Sequence, residues 1–484
     1  MSGRGLGADA GRMSPVPTSH AVVIGASMGG LAAAAAVARH VDLVTIVERD
    51  ELPSGPAFRR GVPHARHLHV LQPGSSAALE RLIPGLQDDM LAEGAALLRV
   101  PRDVLWLSAA GWMRPFDGRR RTMVSASRDL IEWVTRRRVL ARNDVEVRTG
   151  VEVTGLAIEA GRVVGVDLRP RGAAPGEPGE RLFADLVIDA SGRRSHAPDW
   201  LEAAGYDRPA ETVIDADLGY ATRTYRRAGD EPVPGYKAIF LQARPPHTTR
   251  MAVLFPLEDD RWMLTVAGTN GDVPPTDEDG FAAFTRGLRS PILADVVEEL
   301  EPLTPIVGYR HTANQRRHFE QLRRAPSGFV AVGDSVCAFN PVYGQGMGAA
   351  ALSAEALDRV LADHGRQAGR NDLGAASSRI QEAVAKANAG AWMVATGEDL
   401  RYPGTKGGST SMADKVLRRY FDRVVRAAAH DEGAYNAFVD VLALLAPPES
   451  LLRPGLAARV LTRRRAAPPT DPPLPARRRA PMAA

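Results

Sequence analysis

The stretch His20-Ala-Val-Val-Ile-Gly25-Ala-Ser-Met-Gly-Gly30-Leu-Ala, followed by Val44-Thr-Ile-Val-Glu48-Arg49, decides the reading of this chain. A short β-branched run ends in a glycine turn that opens directly into an alanine-rich helix. A second apolar strand then ends in an acidic residue, Glu48. Strand, turn, helix, strand and acid in that order describe a dinucleotide site. The turn sets backbone N–H groups of a helix N-terminus against a pyrophosphate, and the acid accepts from a ribose hydroxyl. Gly25, Ser27, Met28, Gly29, Gly30, Glu48 and Arg49 are the candidate contacts, with Ser27 standing where a second glycine is usual.

At 484 residues the chain exceeds the size at which one core stops growing, so two lobes are expected. Its hydrophobic content of 44% and charged content of 24% are those of a globular enzyme. No apolar run reaches the ~18 residues of a membrane span, and the first 19 residues lack the order of a signal peptide. The single cysteine, Cys337, excludes an intrachain disulfide framework and fits a cytoplasmic location. The net charge of +4 misleads, because residues 462–484 contribute +5 and leave about −1 on the rest. That arginine- and proline-rich tail reads as solvated and unstructured, with no nucleic-acid partner.

Along the chain, Leu52 to Gly74 reads as a long loop. Val104 to Phe116 reads as two short strands about Gly111, and Ser127 to Leu140 as a helix capped by Ser127. Val145–Val147, Val151–Ile158 and Val163–Leu168 alternate as antiparallel strands. Leu186 to Gly192 and Gly328 to Asp334 are buried strands running into turns, with a β-rich block (213–225, 236–242, 250–257, 261–267) between them. Helical patterns at 278–299, 377–396, 412–429 and 434–445 complete the folded part. The expected fold class is α/β with an α+β insertion: a Rossmann-like cofactor domain assembled from separated segments, an inserted antiparallel-sheet substrate domain, and C-terminal helices. The expected bounds are 20–100, 125–205 and 305–365 for the cofactor domain, and 101–124 and 206–304 for the substrate domain. The helical region runs over 366–453, between unstructured tails at 1–19 and 454–484.

A second motif names the cofactor. In Gly333-Asp-Ser-Val-Cys-Ala-Phe-Asn-Pro341-Val-Tyr-Gly344-Gln-Gly346-Met347-Gly, a carboxylate leaves the end of a buried strand within reach of sugar-like hydroxyls. Proline and glycines then shape a tight loop whose helix start faces an anion. With these motifs the chain resembles the FAD-dependent monooxygenases of the para-hydroxybenzoate hydroxylase type. The resemblance implies that the N-terminal fingerprint holds the ADP half of FAD and that Asp334 holds the ribitol. It sets Pro341, Gly344, Gln345, Gly346 and Met347 beside the flavin ring, and Arg128, in Ser-Ala-Ser-Arg-Asp-Leu-Ile-Glu, near the phosphates.

Within that family the chain is most similar to the polyene epoxidases of polyether-antibiotic biosynthesis. The likeness rests on Gly61-Val-Pro-His-Ala-Arg-His-Leu-His69, Ser127–Trp133, Ile292-Leu-Ala-Asp with Pro302-Leu-Thr-Pro305, and Ala338-Phe-Asn-Pro-Val-Tyr-Gly. It implies reduction by NAD(P)H or by a partner flavin reductase, reaction with O2 to a flavin C4a-hydroperoxide, and epoxidation of a carbon–carbon double bond in a polyketide or polyene of secondary metabolism. The alternatives are aromatic hydroxylation and a flavin fold that binds an apolar ligand without turnover. The Trp-x-Trp-x-Ile-Pro signature of flavin halogenases is absent. Two departures concern Asp189-Ala-Ser-Gly-Arg-Arg-Ser-His-Ala-Pro198, where Ser191 and Pro198 replace the family's usual glycine and arginine in a motif tied to nicotinamide handling.

The resemblance also sets the loop of His64, His67 and His69 beside the flavin, with Arg66 as a cofactor contact. Without a carboxylate or cysteine, these histidines do not make a metal site. No catalytic base is assignable: Asp215, Asp217, His247 and His311 are all conceivable.

Overall fold

The structure, a computed structural model, describes residues 19–116, 121–174, 179–227, 229–368, 370–462, 467 and 469–474. Its centre is a five-stranded parallel sheet in the order Phe329–Ala331, Leu186–Asp189, His20–Ile24, Leu43–Val47, Val145–Arg148. These strands are short, β-branched and buried on both faces, which is how a parallel sheet covered by helices reads in sequence. Strands distant in the chain thus pair side by side, with Val22 in register with Val187 and Ile188 with Val330.

The helix Met28–Val37 is buried all round rather than on one stripe, because it is sandwiched between this sheet and the long helix Gly346–Ala368. Its run of alanines permits that close packing. The approach is tightest at Gly30, where a Cβ would fall 1.8 Å from the carbonyl oxygen of Gly25. Gly25 itself lies at φ +100°, a conformation open to glycine at little cost.

A seven-stranded sheet forms the second layer, in the order Val307–Tyr309, Gly219–Arg226, Arg261–Gly268, Arg250–Leu257, Ala238–Leu241, Val104–Ser108, Gly111–Trp112. It is antiparallel except where Ala238–Leu241 runs parallel to Val104–Ser108. The amphipathic helices Glu278–Arg286 and Ile292–Glu298 cover part of one face through Phe281, Phe284 and Leu293. The helices Met412–Ala428 and Glu432–Leu442 bring Tyr435 and Val439 against Trp106 and Phe255.

Four expectations are corrected. Val145–Arg148 is the edge strand of the parallel sheet, in register with Leu43–Val47, so its alternation reflects a half-covered edge rather than antiparallel pairing. The segment expected as a loop carries the strand His69–Leu71, which pairs with Arg121–Ala126, and Pro73 starts the helix Pro73–Leu82. The β-rich run at 213–225 breaks at 215–218 and divides between two sheets, as Glu211–Ile214 and Gly219–Arg226. The tail expected from 454 begins with the helix Pro454–Thr462, which buries Val460. Residues 469–473 also lie on the large sheet: Trp112 donates from its backbone to Pro469 and from Nε1 to Thr470, at 3.1 Å each, and the Tyr236 hydroxyl donates to Pro473 at 2.8 Å. Carbonyls that proline-rich chain cannot pair internally become acceptors for these donors. Residues 1–18 and 475–484 lie outside the described residues.

The contact between Gly30 and Gly25 has a measurable consequence. Gly30→Ala is expected to lower stability by about 1–3 kcal/mol, since the added methyl has no room. Gly55→Ala, where nothing lies within 4 Å of the added atom, is expected to be near neutral in the same denaturant titration.

Candidate functional site

The N-terminal turn is braced from the acid at the end of the second strand. Glu48 is buried, and its carboxylate accepts from the backbone N–H of Ala26 at 2.8 Å and of Asp50 at 3.0 Å. A carboxylate has about four lone-pair sites, so acceptor capacity remains for a hydroxyl. Arg49 beside it is exposed.

From the other side comes Arg128, the first residue of the helix Arg128–Leu140, which Ser127 caps as expected. Arg128 is 2% exposed; its Nη2 donates to the Ser27 hydroxyl at 2.8 Å and meets Glu132 at 2.8 Å. Glu132 also binds Arg59 at 2.6 Å. Burial alone would raise the Glu132 carboxyl, but Arg128 and Arg59 outweigh it and hold it below the usual range. This network leaves two buried nitrogens, Arg128 Nη1 and Arg59 Nη2, with no partner.

The late motif meets the early one through glycine. Cβ atoms built on Gly29 and Gly333 would lie 3.9 and 3.7 Å from the other residue's Cα, so the two turns touch backbone to backbone. Asp334 comes next in the chain, its carboxyl raised by burial against the opposing pull of Arg193 and Arg128. Gly344 turns at φ +63° and Gly346 opens the long helix, with the Oε1 atom of Gln345 buried and unpartnered between them. Met28 is buried in its helix, Met347 is half-buried, and Pro341 is exposed.

The fingerprint, Arg128, Asp334 and the Gln345 loop therefore lie together: Arg128 reaches Ser27, Gly29 meets Gly333, and a Cβ on Gly346 would lie 4.0 Å from Asp334 Oδ1. Buried polar atoms without partners are costly unless a polar ligand satisfies them. Arg128 Nη1 fits a phosphate oxygen, Asp334 fits ribitol hydroxyls, and the helix starts at Met28 and Gly346 offer free N–H groups. These donors and acceptors are of the kinds that FAD requires.

Other sequence candidates lie differently. Arg66 is exposed, with its guanidinium over the Phe58 ring at 4.2 Å. Asp189 is consumed within its own turn, accepting from Ser191 at 3.0 and 2.6 Å and from Ser195 at 2.5 Å, which explains how serine serves there. Asp215 accepts from the backbone of Asp217, and His311 is exposed. Among the described residues no group of three His, Cys, Asp or Glu side chains could hold a metal.

Three features escaped the sequence. His67 is buried, its Nδ1 bonded to Thr222 at 2.8 Å, Thr222 bonded to Thr265 at 2.7 Å, and its Nε2 without partner. Its ring packs edge-on against Tyr220 and Tyr309. Asp399, at the end of the helix Ser377–Asp399, accepts from Tyr343 at 2.5 Å, Asn314 at 2.6 Å and Asn340 at 3.3 Å, anchoring the Pro341 loop. Burial, aided by Glu398, raises its carboxyl to about 6. Finally, a cavity of about 1130 Å³ lies between the large sheet, the C-terminal helices and the same loop, with Val342 and Tyr343 in its wall. It exceeds the roughly 300–1,000 Å³ usual for ligand pockets. Trp112 lines it, whereas Trp262 is a core residue and Trp106 stacks on Phe240.

No family model matches the chain. Protein Rv3254 of Mycobacterium tuberculosis strain H37Rv is 35% identical over 391 residues, which is 80% of this chain and 81% of that protein. Among solved structures, the flavin-dependent brominase Bmp2 superposes with a TM-score of 0.63 at 15% identity, over 92% of this chain and 98% of its own. The p-nitrophenol 4-monooxygenase PnpA of Pseudomonas putida DLL-E4 gives 0.59 at 18%, over 89% and 100%. PqsL of Pseudomonas aeruginosa, described as a probable FAD-dependent monooxygenase, gives 0.55 at 15%, over 86% and 100%. The fold is thus that of the flavin-dependent monooxygenases and halogenases.

Burial, with Arg66 nearby, lowers the His67 imidazole to about 4. A lowered histidine binds fewer protons folded than unfolded, so its contribution to stability is intact above pH 6.5 and is lost as pH falls towards 4. His67→Gln is expected to remove up to about 3 kcal/mol of that acid sensitivity, read as a smaller difference between urea midpoints at pH 7 and pH 4.

Proposed function

We infer the function from one premise: this chain belongs to the same family as Protein Rv3254 of Mycobacterium tuberculosis, and it carries the flavin-monooxygenase fold. It is an FAD-dependent monooxygenase that inserts one oxygen atom into an apolar substrate, most consistently by epoxidising a carbon–carbon double bond of a polyketide or polyene. The carrying observation is a shared loop. The loop Pro341–Gly346 sets Gly346 beside Asp334, where a Cβ would lie 4.0 Å from its Oδ1, and through Val342 and Tyr343 it lines the large cavity.

FAD bound beside Asp334 and Arg128 would supply the activation of O2, with electrons from NAD(P)H or a partner flavin reductase. The residues of the chain would bind, orient and shield it. Arg128 and Ser27 would hold phosphate, and Asp334 would hold ribitol. The helix start at Gly346 favours negative charge beside it by about 0.3–2 kcal/mol. Leu218, Met251 and Val342 keep the cavity side apolar, as oxygen transfer to an alkene requires, since water diverts the oxidant. An alkene needs no deprotonation, so this reading asks no base of the cavity. Among the described residues no helix is long and apolar enough to cross a membrane.

A second reading, hydroxylation of a phenol, is favoured by one observation. His247, one of the conceivable bases, lies in the wall of the cavity, where an imidazole could take a phenolic proton.

Purified protein is expected to be yellow and to release FAD on denaturation. Asp334→Ala is expected to weaken FAD affinity by roughly tenfold or more, as lost charged hydrogen bonds do; affinity equal to wild type in a fluorescence titration refutes the ribitol role. Turnover with a polyene is expected to give an epoxide identifiable by NMR. Phenol hydroxylation that disappears in His247→Gln, with no activity on polyenes, would instead select the second reading.

A further inference from the structure

The cavity wall has a second distinctive feature besides the Pro341 loop. Arg289 stands in the turn between the helices Glu278–Arg286 and Ile292–Glu298, half-buried in the cavity wall. Its Nη1 donates to the carbonyls of Ser108 at 2.8 Å and Gln242 at 2.9 Å, where two strands of the large sheet end side by side. Those bonds fix the guanidinium and leave Nε and Nη2 with no acceptor among the described residues.

The surrounding charge is positive and uncompensated. Arg289 makes no ion pair with a described residue, and the charge that acts on it is Arg244, at the exposed side of the cavity wall. Burial and Arg244 together lower its pKa, which marks a cation that is poorly solvated and repelled. The acids of the cavity are engaged or turned to water. Glu398 and Asp422 pair with Arg401 at 3.3 and 2.8 Å, Asp414 caps its helix with Ser411, and Asp295 is exposed.

We propose that Arg289, with Arg244 beside it, forms a carboxylate subsite, so that the substrate is a long apolar chain ending in an acid, its head at Arg289 and its body reaching back towards Val342 and Tyr343. The proposal rests on the assignment of this cavity as the substrate site. The Nε–Nη2 edge of a pinned guanidinium is the fork that matches the two oxygens of a carboxylate. A bound acid would neutralise the repelled pair, while the remaining cavity, lined by Leu107, Trp112, Met251 and Phe421, buries the chain.

The test uses the full-length, FAD-loaded protein and cis-parinaric acid, a fluorescent polyene fatty acid, beside its uncharged methyl ester. Wild type is expected to bind the acid at least about tenfold more tightly than the ester. Arg289→Gln is expected to erase that preference by weakening the acid alone, and Arg244→Gln to reduce it in part. Equal affinity for acid and ester in wild type, binding of neither, or parallel weakening of both in Arg289→Gln overturns the subsite. Should Arg289→Gln not fold, the wild-type comparison and Arg244→Gln decide. FAD content measured on each sample separates the two claims. Protein that holds FAD without acid preference loses only the subsite, and protein that prefers the acid yet takes up no FAD loses only the monooxygenase reading.

Discussion

A buried guanidinium with unfilled hydrogen-bonding capacity is the constraint around which this molecule is arranged. Arg128 is nearly inaccessible, and a buried arginine is tolerable only when paired and hydrogen-bonded. Glu132 and Ser27 satisfy one nitrogen, Arg59 is drawn in to share Glu132, and Asp50 and Glu48 compensate Arg59 at 3.3 Å each. The chain of partners runs from the helix that starts at Arg128, through the N-terminal turn, to the segment after the second strand. Those segments are far apart in sequence, and the ion network holds them at one end of the parallel sheet. Nη1 of Arg128 and Nη2 of Arg59 are the parts of the network that find no partner among the described residues.

The same convergence explains why the early turn and the late motif are both rich in glycine. Gly29 and Gly333 lie so close that a Cβ on either would already be in van der Waals contact with the other's Cα, and Gly333 turns at φ +58°, where glycine is favoured. The parallel sheet makes that contact possible, because Phe329–Ala331 and His20–Ile24 flank Leu186–Asp189 and deliver their turns to the same edge. Chain order reverses between His20–Ile24 and Leu186–Asp189, and such a switch point is where open α/β sheets bind ligands. The candidate site therefore sits at a location that the topology already provides.

That much is legible in the sequence because the signals are local. Gly25 through Glu48 reads as strand, turn, helix and acid within thirty residues, and the Gly333–Gly348 segment carries its own turn chemistry. The cap at Ser127 is a three-residue motif. The features that escape a sequence reading depend on contacts between distant residues. Nothing near Asp399 announces that it receives Asn314, Asn340 and Tyr343, and Arg289 looks like any loop arginine until two strand ends are seen to hold it. Val145–Arg148 misleads because a half-covered parallel edge alternates in the same way as an antiparallel strand. The helix Pro454–Thr462 is hidden by the arginine- and proline-rich composition of the residues C-terminal to it.

The Asp399 cluster shows how the two halves of the site are kept in one frame. The loop Pro341–Gly346 has little regular structure of its own, and a short turn at a cofactor cleft would otherwise be among the softer parts of the fold. Instead Asn340 and Tyr343 reach across to a carboxylate on a long helix, and Asn314 joins them from the small sheet that also pairs with Cys337–Ala338. A buried polar network in which each member finds its partner rigidifies its surroundings, and the three donors offset much of the cost of burying a carboxylate. Burial still prevails at Asp399, whose carboxyl stays above its ordinary value, so the cluster is held for geometry at some cost in stability. Because Tyr343 belongs both to this cluster and to the cavity wall, the position of the loop against the cofactor cleft and the shape of the cavity are set by the same hydrogen bonds.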